Sequence, residues 1–74
     1  MLKSKINHNY DQLLSDLEVY LTYLRQQPFG DDQHATRQML EQGAIEFFYY
    51  LAGQNRAKAS GDVINLKLSL PAPL

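Results

Sequence analysis

The chain has 74 residues, no cysteine, and 7 Lys plus Arg against 8 Asp plus Glu, for a formal net charge of −1. A single domain of this size buries only about 60% of the surface its unfolded chain exposes, and without disulfides its supplement has to come from a metal or a partner subunit. His8 and His34 lie far apart without ligand-type neighbours, so no metal or other cofactor is expected and oligomerisation is. The balanced charge gives no global basic field for nucleic acid. No run approaches the ~20 apolar residues of a membrane span, and no apolar N-terminal stretch resembles a signal peptide, which leads us to expect a cytoplasmic protein.

Residues 1–8 alternate weakly, with Leu2 and Ile6 opposite Lys3, Lys5 and Asn7 and with Ser4 interrupting the apolar side. They read equally as a short strand or a tail. Asn9, Tyr10, Asp11 and Gln12 have capping-box spacing, which predicts a first helix over 9–27. Its apolar residues, Tyr10, Leu13, Leu14, Leu17, Tyr20, Leu21 and Leu24, cover an arc of roughly 120°, as in a helix packed on one side. Val19 and Tyr23 fall on the outer side. Pro28 disfavours helical geometry at the residue before it, and Phe29-Gly30-Asp31-Asp32 is turn chemistry.

A second helix is predicted over 31–57, capped by Asp31 or Asp32. Thr36, Leu40, Ala44, Phe47, Phe48 and Leu51 form its main face, set to match the first helix in an antiparallel hairpin. Its second half is apolar nearly all round, with Ile45, Phe47, Phe48, Tyr49, Tyr50, Leu51 and Ala52. A single partner helix covers one side only. Met39 and Gly43 lie one turn apart on a flank, where Gly43 is either an opening for a neighbouring backbone or a tolerated weak point. Gly53 is a candidate stop, but the residues beyond it suit a helix that continues.

The segment 62–70 alternates strictly, with Ile64, Leu66, Leu68 and Leu70 on one side and Asn65, Lys67 and Ser69 on the other. That period predicts a half-buried β-strand ended by Pro71, with 71–74 as a tail. The expected fold is therefore mainly α: an antiparallel two-helix hairpin with a C-terminal strand and, on one reading, a short N-terminal strand, completed by dimerisation.

No catalytic, metal or phosphate-binding motif is present, and His34, Glu41 and Glu46 lack the convergent spacing such chemistry needs. The expected function is a small non-enzymatic protein-interaction module: a homodimeric adaptor, inhibitor or regulator using the second-helix aromatics and the strand, with a larger protein as the other class of partner. Phe48, Tyr49, Tyr50, Ile64, Leu66 and Leu68 are its candidate interface residues. The alternative is a DNA-binding regulator, because a strand followed by two helices resembles the ribbon-helix-helix repressors over about the first fifty residues. That resemblance implies groove-facing Lys3, Lys5 and Asn7 and rests on element order. The long helices, the slightly negative charge and the better strand lying at the other end depart from the family.

Overall fold

In the computed structural model, which describes residues 2–73 and side chains from Tyr10 onward, three helices follow one another: α1 (Leu2–Gln26), α2 (His34–Ala52) and α3 (Arg56–Ser69). α1 starts at Leu2 instead of at the expected Asn9 cap, and Gln12 donates along the helix to Asp16 at 2.9 Å. The N-terminal ribbon of the repressor-like reading is thus replaced by helical backbone. The side chains of Lys3, Lys5 and Asn7, with Met1 and His8, lie outside the described residues.

Pro28 closes α1 as expected. A single 3₁₀ turn, Asp31–Gln33, then leads into α2. Asp31 and Asp32 make no side-chain cap bond; instead the Gly30 N–H donates to the Gln33 side chain at 3.3 Å, and the Gln33 N–H donates to the Gly30 carbonyl at 2.8 Å. The second helix does not continue past Gly53. There the backbone turns to φ 58° and ψ −116°, a region that glycine enters without a side-chain clash. A second 3₁₀ turn, Gly53–Asn55, reverses the chain into α3.

α3 is the main correction to the sequence reading, because 62–70 is helical and no strand occurs among the described residues. The alternation of Ile64, Leu66, Leu68 and Leu70 is the overlap of two helical stripes. Ala59, Val63, Leu66 and Leu70 recur at spacings of four, three and four and face inward, while Ile64 and Leu68, four apart, face out. Leucine at three of the four alternating sites is also a good helix former, lacking the β-branching that favours strands. Pro71 ends the helix at Ser69, with Leu70 already extended at φ −75° and ψ 151°.

Two polar ties set the direction of α3. Tyr10 donates to Asp62 near one end, and the Arg25 guanidinium donates to the Pro71 carbonyl at 3.3 Å near the other. α3 therefore runs parallel to α1 and antiparallel to α2, an up-down-up bundle. The core lies where one side of the α1–α2 hairpin meets α3: Tyr10, Leu17 and Leu21 from α1, Ile45, Phe48 and Ala52 from α2, and Ala59, Val63 and Leu66 from α3. Ala59 is fully buried, and its small side chain lets α3 sit close to the pair. Arg25 also pairs with Glu41 at 3.2 Å, both side chains largely shielded, which joins α1, α2 and the segment just beyond α3 at this end.

Candidate protein-binding face

α2 has three sides, and two are covered. One packs on α1 and one on α3, which uses Phe48, Ile45 and Ala52. The third carries Thr36, Leu40, Gly43, Phe47 and Tyr50, all exposed. Their spacing of four, three, four and three residues is that of a seam along which one helix packs on another. Phe47 is 61% exposed and Tyr50 79%, and their rings stack on each other with centroids 6.4 Å apart. That stacking hides little of either ring from water.

α1 extends this surface with Val19, Tyr20 and Tyr23, also exposed. Between the helices lies a groove of about 350 Å³ bordered by Leu13, Tyr20, Ala44, Phe47 and Leu51. Tyr20 also borders two further grooves, one with Val19 and Tyr23 and one reaching Phe29 and Leu40. The apolar surface is therefore continuous from α1 across to α2. Asp16 is the one charged residue bordering these grooves, and Gln12 already donates to it. Gly43 lies mid-stripe, and a Cβ built there would meet nothing within 4 Å.

The opposite, closed side is tied by polar and aromatic contacts. The Tyr10 ring packs on Phe48 at 5.8 Å, and the Lys58 ammonium lies 4.6 Å from the centroid of Tyr10. Burial first, then the hydrogen bond to Asp62 and the negative charges of Asp62 and Asp11, push the Tyr10 phenol up from 10.0 to about 12. Buried Arg37 has its guanidinium 5.2 Å from the centroid of Phe29 and 2.9 Å from His34 Nδ1 through one amino group. These groups hold elements together. They do not converge on a shared cavity, and no cluster of three or more metal-type ligands occurs among the described residues.

The structure disperses the six interface residues read from the sequence. Phe48 and Leu66 are core; Tyr49 is half-buried beside Phe48 with Arg56 over its ring at 5.0 Å. Tyr50 belongs to the open α2 stripe. Ile64 and Leu68 are exposed on α3, away from the core side of that helix. Sequence reasoning placed Tyr20, Leu40, Phe47 and Leu51 on the packed faces and put Val19 and Tyr23 on the outer side, as a small patch or tolerated surface. For Leu40 and Phe47 the signal is the four-three spacing on α2, which runs alongside the inward stripe and makes the helix too apolar for one neighbour.

Comparison with protein families, curated proteins and solved structures finds no match to this chain. Among the described residues, no helix is long and apolar enough to cross a membrane.

Proposed function

We propose that this protein is a small non-enzymatic interaction module that works as a homodimer through the outer face of α1 and α2. The observation that carries this reading is the continuous, nearly uncharged aromatic surface of Tyr20, Tyr23, Leu40, Phe47, Tyr50 and Leu51. Tyrosine and phenylalanine are enriched in interface centres, where a large ring is buried without desolvating a charge. A second copy meets this requirement directly, because it brings the same nearly uncharged face, on which Asp16, held by Gln12, is the one charged residue bordering the grooves. A nucleic-acid or anionic lipid surface would need cations, and no Lys or Arg borders these grooves.

The area is of the right order. The 19 residues of α2 extend roughly 28 Å at 1.5 Å per residue. Two adjacent helices are about 20 Å wide, so the face covers on the order of 550 Å² per copy. Two copies would bury about 1,100 Å², just above the ~1,000 Å² that marks a specific association. A dimer of this size is reversible, formed by monomers that already have their own core.

Sedimentation velocity from low to high micromolar concentration tests the proposal. The expected result is a monomer–dimer equilibrium that Phe47→Asp shifts to monomer while helicity is retained. A wild-type chain that stays monomeric at high micromolar concentration overturns it.

A further inference from the structure

We infer that the two copies meet through α2 in antiparallel orientation, with their α2 helices crossing at Gly43. This rests on the homodimeric reading above and specifies its geometry. The exposed stripe runs from Thr36 to Tyr50, and Gly43 is its midpoint, with Leu40 on one side and Phe47 on the other. A two-fold axis perpendicular to α2 at Gly43 therefore brings Leu40 of each copy toward Phe47 of the other, and Thr36 toward Tyr50. Each pairing sets a larger residue against a smaller one, Phe47 on Leu40 and Tyr50 on Thr36, on both sides of the one stripe position without a side chain.

The glycine itself supports the crossing. A glycine inside a helix is unfavourable relative to alanine, and at Gly43 nothing within one chain explains it, because a Cβ there would lie in open space. Helix axes approach most closely where the contact residues are small. An empty position at the centre of an exposed seam is the site at which a second backbone fits. In a parallel pairing each residue would face its own counterpart, so Phe47 and Tyr50 of the two copies would crowd at one end while Thr36 left a gap at the other.

Because the chain contains no cysteine, single introduced cysteines read the geometry directly. A disulfide needs Cβ atoms about 3.5–4.5 Å apart. Under mild oxidation Gly43→Cys is expected to give a covalent dimer, Thr36→Cys alone none, and an equimolar mixture of Thr36→Cys and Tyr50→Cys a mixed dimer. Gly43→Gln, whose Cβ has nothing within 4 Å in one chain, is expected to weaken self-association at least tenfold with undiminished thermal stability of the monomer. Thr36→Cys cross-linking as readily as Gly43→Cys overturns the antiparallel arrangement. A wild-type dimer that Gly43→Gln leaves intact overturns the crossing point but spares the homodimer. A wild-type monomer at high micromolar concentration overturns both.

Discussion

The two sides of the α1–α2 hairpin are built from the same two helices and end differently. The inner side is closed by α3, locked by Leu21, Phe48, Ala59 and Val63, and fastened at its margins by Tyr10 with Asp62 and by Arg25 with Glu41 and Pro71. The outer side has comparable aromatic content, with Tyr20, Tyr23, Phe47 and Tyr50, and almost no polar fastening. Apolar content alone therefore does not distinguish the buried side from the exposed one in this chain. Polar contacts do: the closed side is tied across helices by Tyr10 with Asp62 and by Arg25 with Glu41 and Pro71, whereas the grooves of the open side have Asp16, held by Gln12 of its own helix, as their one charged residue.

The sharpest break of this contrast is to hollow the inner side. Phe48→Ala is expected to destabilise the fold by about 3–5 kcal/mol, the range for emptying a buried aromatic position, as measured by urea unfolding. Arg25→Ala should cost about 1–3 kcal/mol, since it leaves the shielded Glu41 carboxylate without its partner and frees the Pro71 carbonyl. The same titration, with and without added salt, checks that the loss is that of a shielded pair. Gly53→Ala is expected to cost about 1–3 kcal/mol through its positive φ alone, because the added Cβ has open space around it. Thermal unfolding beside Gly43→Ala, which has helical backbone and the same open space, separates backbone strain from crowding.

A smaller effect is set by pH. The folded state holds the Tyr10 phenol at about 12 against 10.0 for the unfolded chain. A raised value means that the neutral phenol is favoured on folding; its stabilisation is complete below pH 10.0 and is lost as pH rises through about 12. Tyrosinate absorbance should show one group titrating near 12, absent in Tyr10→Phe. The smallest change in stability is expected on the outer side. Phe47→Ala should alter monomer stability by no more than about 0.5 kcal/mol, measured at concentrations below the dimer range, while weakening self-association in sedimentation.

The first two helices and the turn between them were legible because their signals agree: one apolar arc on α1, a proline at its end, and a glycine with two acids before α2. The C-terminal segment was not, since within eight residues an aliphatic residue at every second place, Ile64, Leu66, Leu68 and Leu70, satisfies a strand and also falls on two faces of a helix. Extending the window back to Ala59 reveals the helical stripe, but alanine carries little weight in a hydrophobic pattern. The end of α2 at Gly53 was obscured by a good helical sequence resuming just beyond it. The candidate site was half visible. The surplus of apolar residues around Phe48 can be read from the sequence, whereas which of them face α3 and which face water depends on a third helix that the alternation disguised.

The up-down-up order also governs time. Each helix packs on the one next to it in the chain, through connections of only a few residues, and bundles dominated by such local contacts fold in microseconds to milliseconds. Two protein molecules at about 1 μM meet productively only about 0.1–10 times per second, given association rates of about 10⁵–10⁷ M⁻¹s⁻¹. Each molecule therefore completes its own bundle long before an encounter, so the proposed pairing would join finished surfaces and give helix exchange between unfinished chains little opportunity.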